Sequence, residues 1–284
     1  MKLAIIKACS DLGVHISGSE KGPLIINKFD NIVEKNITIK KEETIKEIDK
    51  EIKLKNLNKL NEVNEELYKS IINIDEFVIT LGGDHSIAIA SILASKKKSK
   101  NMGLIWIDSH ADFHTIETTI SGNIHGMPFA TVCGQNGDKL SYFFDEEYIK
   151  PENAVLVGAR DIELPEYQNL ETAGVKVYTT EDIKKYGVEN IMKEAIQIAS
   201  TNTNGFHVSY DLDVIDPSLA PGVSVKAKDG ISVTIAEEIL NQLLKSKEHI
   251  KSFDLVELNP EKDIDNKTLT IAETLLEKLI NEIK

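Results

Sequence analysis

The apolar residues of this chain form short continuous runs that alternate with longer amphipathic stretches. Apolar runs of about 4 to 8 residues are typical of strands buried on both faces of a parallel sheet. The alternation favours a doubly wound α/β sheet in one domain over residues 1–284. Helical spacing of apolar residues predicts helices at 42–73, 85–97, 187–201, 234–247 and 267–283. Strands are predicted at Leu3–Lys7, Phe77–Leu81, Leu104–Asp108, Ala154–Gly158, Val175–Tyr178, Phe206–Asp211 and Phe253–Val256, with a fainter pattern at Ile37–Ile39.

The net charge of the chain limits which classes of molecule it is expected to bind. The chain carries 33 Lys and Arg against 46 Asp and Glu, a formal net charge of −13. Such an acidic surface disfavours nucleic acid and anionic membranes as partners. Arg160 is the sole arginine in the sequence, so planar Arg forks for phosphate or carboxylate are nearly absent.

Cysteine use and hydropathy bear on the compartment. Cys9 and Cys133 form no CxxC pair and cannot build a disulfide framework. We therefore expect a reducing, cytoplasmic setting. The apolar run Leu3–Ile6 is too short for a signal peptide, and no stretch of 18 apolar residues predicts a transmembrane helix.

Two Lys-rich stretches admit two interpretations each. Segment 28–73 is rich in Lys, Glu, Asn and Ile; it is either a partner-binding helix or, as we favour, a solvated helix face. Ser95–Lys100 is either a basic contact patch or the end of a helix, where Lys side chains interact favourably with the helix dipole. We favour the helix end.

The histidines indicate where the chemistry lies. Four of the seven, at positions 85, 110, 114 and 125, fall within 41 residues. Asp108, His110 and Asp112 alternate directly after the apolar run Gly-Leu-Ile-Trp-Ile. In extended backbone they would project to one side at the carboxyl end of a strand, where open α/β sheets bind ligands. This pattern predicts a metal site.

Two further clusters follow apolar runs. Asp211 and Asp213 alternate after Phe206–Tyr210, and adjacent buried carboxylates repel each other unless a cation or proton lies between them. The alternative is a turn with Asp as the helix cap, which we expect at Asp216-Pro217. The third cluster is Gly82-Gly83-Asp84-His85-Ser86, which could equally be a capped helix start.

The three clusters together supply more ligands than one zinc ion takes. Mixed imidazole and carboxylate ligands suit Mn²⁺, with Fe²⁺, Co²⁺ or Ni²⁺ as substitutes. Their number indicates two metals that share carboxylates and activate a water molecule. The ligands predicted from the residues are His85, Asp108, His110, Asp112, Asp211 and Asp213.

These residues resemble the ureohydrolase family, which includes arginase, agmatinase and formimidoglutamase. The matching motifs occur in the family's order, from the ISGSEKGP stretch to Pro260, and the SGNIHGMP segment looks most like arginase. The resemblance implies a three-layer α/β/α sandwich around a mostly parallel sheet of about eight strands. The motifs are GGDHS (82–86), DSHAD (108–112), SGNIHG (121–126), GARD (158–161), SYDLDVIDP (209–217) and DLVELNP (254–260).

The resemblance also assigns roles. One metal would take His85, Asp108, Asp112 and Asp211, and the other His110, Asp108, Asp211 and Asp213, with Asp108 and Asp211 bridging. Hydroxide on the metals would attack a guanidinium carbon and release urea, with Asp112 among the catalytic residues. Glu257 would bind the guanidinium, and His125 would pass a proton to the leaving amine. Without the resemblance, Glu257 could equally face solvent, and His125 could be a loop imidazole with no role.

The substrate's amino-acid end is where the sequence departs from the family. Arginases usually carry Asn where this chain has His114, and Asp where it has Glu163. His114 could still donate a hydrogen bond to a carboxylate, and Glu163 could still accept one from an ammonium group. Ser109 replaces the usual Ala of the DxHxD motif, a change we expect to be neutral. The resemblance implies these substrate-binding residues: His114, Ser121, Asn123, Asp161, Glu163 and Glu257.

The leading functional hypothesis is a dimanganese hydrolase that converts L-arginine to L-ornithine and urea. The alternatives are an agmatinase, a formimidoglutamase or another guanidino- or amidino-acid hydrolase of the family. A silent metal-binding scaffold and a dinuclear phosphoesterase are rivals from other classes. Family members commonly form homotrimers or homohexamers, so the resemblance implies one of these assemblies.

Overall fold

The computed structural model describes residues 2–31, 33, 35–40 and 53–284, and within them eight strands form one parallel sheet. The strand order across the sheet is β2-β1-β3-β8-β7-β4-β5-β6. All seven neighbouring pairs run parallel, so every carboxyl end lies at the same edge. The strands are β1 (Leu3–Cys9), β2 (Lys35–Lys40), β3 (Phe77–Gly82), β4 (Gly103–Ile107), β5 (Ala154–Ala159), β6 (Lys176–Thr179), β7 (Phe206–Asp211) and β8 (Ile250–Val256).

Helices cover both faces of this sheet. None of the helices in the described part of the chain is long and apolar enough to span a membrane. The helices found there are α1 (Gly22–Ile25), α2 (Leu57–Ile72), α3 (Ala88–Ser99), α4 (Pro128–Val132), α5 (Leu164–Ala173), α6 (Thr180–Tyr186), α7 (Val188–Ser200), α8 (Val233–Leu244) and α9 (Lys267–Ile283).

The side-chain alternation of the strands divides the core into two apolar layers. On β4, Ile105 packs in the layer beneath α7, α8 and α9, whereas Leu104 and Trp106 pack in the layer beneath α2, α3 and α4. Both layers are almost completely buried. The predicted three-layer α/β/α architecture with a parallel sheet of about eight strands is therefore confirmed.

Strand positions agree with the predictions within a few residues, including the faint pattern that became β2. The predicted helix 42–73 is wrong over residues 53–56, because α2 begins at Leu57 after Asn56 adopts a φ of +55°. Residues 42–52 lie outside the described residues. Predicted helix 85–97 begins with a 3-10 turn at His85–Ile87 before α3.

The prediction missed the short helices α1 and α4. It also missed α5 and α6, which lack a strong apolar stripe. Both α5 and α6 begin with a capping box, in which the cap and the third helical residue bond each other's backbone N–H. Glu163 and Glu166 form the box of α5, and Thr179 and Asp182 that of α6. The three-residue spacing within each pair could have indicated where these two helices begin.

The Lys-rich end of α3 behaves as a helix end. Lys96, Lys97 and Lys98 lie in its last turn. Lys96 donates to the Lys100 carbonyl and Lys98 to the Ile74 carbonyl, while Lys97 pairs with Glu146 at 2.7 Å. The lysines therefore bind helix and loop carbonyls and a neighbouring acid, in agreement with the favoured interpretation.

Arg160 joins the loops that follow β5 and β7. Its guanidinium donates to the carbonyl oxygens of Asp213 at 2.8 Å and of Val214 at 2.9 Å. Further bonds reach the carbonyls of Gly158, Ala227 and Lys228. All the donors of the chain's sole arginine therefore hold backbone in place.

We expect Arg160→Lys to lower the free energy of unfolding by about 2 kcal/mol, because a compact ammonium cannot reach carbonyls spread around a planar fork. Urea denaturation followed by circular dichroism measures the change. Lys226→Gln, at the exposed position directly before Ala227, is the control and should change stability by less than about 0.5 kcal/mol. Equal stability of the two variants would contradict the role assigned to Arg160.

Candidate active site

Polar side chains gather at the carboxyl ends of the central strands. His85 follows β3, Asp108 and His110 follow β4, and Asp211 ends β7. Glu257 follows β8, which lies between β3 and β7 in the sheet. Because these strands are neighbours, residues far apart in the sequence lie within a few ångströms of one another.

His85 is surrounded by carboxylates. Its Nδ1 lies 3.0 Å from Asp108 Oδ2, 3.0 Å from Asp211 Oδ2 and 3.3 Å from Asp112 Oδ2. Side-chain exposure of these residues is between 1% and 6%. One N–H can serve only one of three oxygens, whereas a divalent cation binds imidazole nitrogen and carboxylate oxygens together. The donor set fits a metal ion.

A second group lies beside the first and shares one residue with it. His110 Nδ1 is 2.9 Å from Asp213 Oδ2 and 3.5 Å from Asp108 Oδ1. The two oxygens of Asp108 therefore face different histidines. His85, Asp108 and Asp211 form one possible metal-binding group, and Asp108, His110 and Asp213 form the other.

The backbone brings these side chains together by turns, so the prediction of extended alternation is wrong beyond the strand ends. Asp112 has a φ of +49°, a conformation that costs non-glycine residues energy and clusters at functional sites. Asp211 caps a 3-10 turn at Leu212–Val214, and its Oδ1 accepts from the Asp213 N–H at 2.7 Å. Asp84 similarly caps the turn that begins at His85. The segments of Asp84 and Asp211 therefore cap turns and also contribute side chains to the cluster.

Burial and crowding raise pKa values in this cluster and so favour its protonated forms. Burial, followed by neighbouring carboxylates, raises the pKa of Asp112 and Asp211 well above the usual range. Burial disfavours charge on His110, but the nearby carboxylates outweigh burial and raise its pKa well above normal. A divalent cation could take the place of these protons, because metal binding to such ligands releases protons.

Three residues that sequence reasoning did not select hold the ligands in place. Trp106 Nε1 donates to Asp108 Oδ2 at 2.9 Å, and its ring stacks on His85 with centroids 4.0 Å apart. Ser209 Oγ lies 2.9 Å from His85 Nε2. Trp106 and Ser209 each lie two residues before a predicted ligand, and this spacing on a strand could have revealed them.

Ser109 contacts the second group directly. Its hydroxyl donates to Asp213 Oδ1 at 2.7 Å and lies 3.0 Å from His110 Nδ1. The residue that replaces the usual Ala therefore touches two predicted ligands.

Glu257 has one carboxylate oxygen occupied and one without a hydrogen-bond partner among the described residues. Oε1 accepts from the His85 N–H at 2.9 Å, whereas buried Oε2 has no such partner. Burial, then the charges of neighbouring carboxylates, raises the pKa of Glu257 well above normal. An unpaired buried acceptor is costly, so a cationic donor at Oε2 would stabilise this arrangement.

A pocket of about 240 Å³ opens above the second group. Its wall holds His110, Asp112 and His125, and His125 is half-buried. Burial, then the charge of His110, lowers the pKa of His125 well below normal, so its imidazole is neutral near neutral pH. The other residues that line the pocket are His15, His114, Ile120, Ser121, Asn123, Gly126, Asp161, Glu163, Glu166 and Val225.

The pocket has an acidic side. His114 Nε2 lies 3.4 Å from Glu163 Oε2 and 3.7 Å from Glu166 Oε2. His114 is therefore placed against carboxylates, while Ser121 and Asn123 lie in a separate loop. Asp161 Oδ2 is 3.9 Å from His110 Nε2. The pocket thus contains every residue that the sequence assigned to substrate binding except the more deeply buried Glu257.

Sequence reasoning missed two ionisable residues that line the pocket. Glu166 is the third helical residue of α5, and its carboxylate accepts from the Phe113 and Glu163 N–H groups at 3.1 and 3.0 Å. The capping-box spacing after the GARD motif was the signal for it. His15 is exposed and lies in the loop after β1, where its sequence neighbourhood offered no signal.

The comparisons with known proteins agree with this geometry. A family model described as Arginase family matches residues 1–281. The chain is 35% identical to an arginase of Bacillus subtilis over 99% of this chain and 98% of that protein, and 33% identical to an arginase of Bacillus caldovelox over the same shares.

Solved structures show the same fold. A crystal structure of arginase from Bacillus subtilis superposes with a TM-score of 0.86 at 33% identity, covering 99% of this chain and 98% of that one. An Entamoeba histolytica arginase in complex with L-ornithine gives 0.86 at 29% identity over the same shares. The chain therefore belongs to the arginase family, whose members are metal-dependent hydrolases of amidine C–N bonds.

Proposed function

We propose that this protein is a dimanganese hydrolase that converts L-arginine to L-ornithine and urea. The observation that carries the proposal is the pair of imidazole–carboxylate groups joined by Asp108 at the floor of an acid-walled pocket. An anionic pocket in an acidic protein attracts a cationic guanidino compound. The relatives named arginase, and the arginase crystallised with L-ornithine, support this substrate over others.

The proposed ligand sets follow the geometry and the family motifs. His85, Asp108, Asp112 and Asp211 would hold one Mn²⁺, and His110, Asp108, Asp211 and Asp213 the other. Fe²⁺, Co²⁺ or Ni²⁺ could substitute, because the same donors bind them. When bound, the metal pair supplies a water nucleophile activated near neutral pH.

The chain's own residues then account for binding and proton transfer. Glu257 would accept N–H donors of the guanidinium at Oε2, since His85 already holds Oε1. His125 would accept and release a proton at its neutral imidazole to assist the leaving amine. Asp161, Glu163 and Glu166 would face the α-ammonium group, and Ser121 and Asn123 the α-carboxylate. His114 lies against Glu163 and Glu166 and would orient them.

The family and the composition support the remaining proposals. One domain over residues 1–284, a cytoplasmic setting and a homotrimer or homohexamer are proposed on this basis. The phosphoesterase rival loses support because Arg160, the sole arginine, is fully occupied by backbone carbonyls, and phosphate needs such donors.

We expect the Mn²⁺-loaded protein to release urea from L-arginine with a higher kcat/KM than from agmatine or any other guanidino compound. The amino-acid end of L-arginine has polar partners in the pocket that a decarboxylated analogue leaves unpaired. Urea release is measured with L-arginine and agmatine, and ammonia or formamide release with formimidoglutamate. If the protein hydrolyses another of these compounds but not L-arginine, the substrate is reassigned to that compound. If it hydrolyses none of them, the alternative of a silent metal-binding scaffold is favoured.

We expect Asp211→Asn to reduce bound metal below two ions per chain and to abolish turnover, because an amide oxygen is a weaker ligand than a carboxylate. Metal content is measured by elemental analysis and fold by circular dichroism, which should not change. Asp229→Asn is a matched control at an exposed site with a φ of +61°, which Asn tolerates. If Asp211→Asn binds two metal ions and keeps full turnover, Asp211 is not a metal ligand.

We expect His125→Ala to lower kcat about 100-fold, the range of general acid–base catalysis, with metal content unchanged. Steady-state kinetics measures kcat, and elemental analysis measures metal content. Exposed His249, the last residue of a 3-10 turn before β8, supplies the control His249→Ala, which should keep full turnover. Loss of metal from His125→Ala would identify His125 as a ligand instead of a proton carrier.

A further inference from the structure

One wall of the pocket is backed by a lysine that sequence reasoning did not select. Lys55 Nζ donates to Asn123 Oδ1 at 2.8 Å. An ammonium group can only donate, so the carbonyl of the Asn123 amide must face Lys55 and its NH₂ group must point the other way. Lys55 thereby fixes the orientation of this amide, which is buried and lines the pocket.

The NH₂ group of Asn123 retains a donor for a ligand. Asn123 Nδ2 lies 3.0 Å from His15 Nδ1, which uses one N–H. The second N–H has no hydrogen-bond partner among the described residues. Carboxylates accept such N–H donors and have no proton to offer in return. A carboxylate therefore suits this wall, and a carbonyl oxygen turned to the pocket would repel it.

The segment that carries Lys55 is held by hydrogen bonds to two neighbouring loops. The Lys55 N–H donates to the Gly122 carbonyl at 2.9 Å, and Asn56 Nδ2 donates to the Leu12 carbonyl at 2.9 Å. Gly122 has a φ of +70°, and a Cβ there would lie 2.4 Å from the Lys53 carbonyl oxygen. This close approach requires glycine, so the position of Lys55 is built into the loop.

The pocket lining also contains groups of the other sign of charge. Asp161, Glu163 and Glu166 line it, and neither lysine nor arginine is among the described residues that line the pocket. The Lys55 ammonium behind Asn123 therefore differs in sign from the three acids of the pocket lining. A pocket with both these acids and the N–H donor of Asn123 matches a head group that bears an ammonium and a carboxylate together.

We propose that Lys55, through its hydrogen bond to Asn123, keeps an N–H donor facing the pocket and so selects substrates that carry a carboxylate. Lys55 is a positioning residue, since it acts through Asn123. The inference rests on the proposed function, because it concerns the amino-acid end of the same substrate. L-Arginine and agmatine differ by this carboxylate and are the matched probes.

The kinetic experiment compares Lys55→Met with wild type on both substrates. KM for L-arginine should rise about tenfold with kcat changed less than twofold, and the ratio of kcat/KM for L-arginine over agmatine should fall about tenfold. Lys55→Arg should retain most of the selectivity. Exposed Lys53 gives the control Lys53→Met, which removes an equal charge two residues away and should leave the ratio unchanged.

A double-mutant cycle tests whether Lys55 acts through Asn123. Lys55→Met in an Asn123→Leu background should lower selectivity no further, because coupled residues are not additive. Additive losses, an unchanged ratio in Lys55→Met, or equal losses for both substrates would overturn the inference.

A binding measurement separates this inference from the proposed function. L-Ornithine and putrescine differ by the same carboxylate, and calorimetry of their binding to Mn²⁺-loaded protein requires no turnover. If wild type releases no urea from L-arginine, the proposed function fails. Even then, the inference is supported if Lys55→Met binds L-ornithine more weakly than wild type does and binds putrescine equally well. The inference is overturned if wild type binds L-ornithine no better than putrescine.

Discussion

Repulsion among buried carboxylates at the carboxyl edge of the sheet is the constraint on which the site depends. Asp108, Asp112 and Asp211 surround one imidazole nitrogen within 3.3 Å. Uncompensated buried charges cost several kcal/mol each, so this cluster is stable only with protons or cations between its members. The raised pKa values of Asp112 and Asp211 express that demand. The pair of divalent cations that we propose for this site would satisfy it.

The surrounding structure fixes the cluster against its own repulsion. From the strands themselves, Trp106 donates to Asp108 and stacks on His85, and Ser209 contacts His85. Arg160 holds the backbone of the loop that carries Asp213 by binding its carbonyl oxygens. Because these supports belong to the sheet and its first connecting loops, the proposed ligands would be organised before any metal binds, which would favour binding.

Recognition of the substrate is assigned to a different set of elements. The pocket lining comes mainly from the loops after β1 and β4, the 121–126 loop and the residues around the start of α5. The segment before α2 lies behind Asn123. Lys55 and Asn123 meet across 68 positions of sequence, and Glu166 reaches the pocket because it completes the cap of α5. In the proposed function, the chemistry thus lies on the strand ends, and specificity lies on loops that can vary independently.

The sequence by itself determined the parallel α/β fold, because apolar runs specify buried strands. It also determined the six candidate ligands, because imidazole and carboxylate side chains follow strands that must end at one edge. It could not place Asp112 or Asp213, whose positions depend on a positive φ and a capped turn. Only the tertiary structure decided that Lys55 faces Asn123, since contacts between distant loops leave no periodic pattern in the sequence.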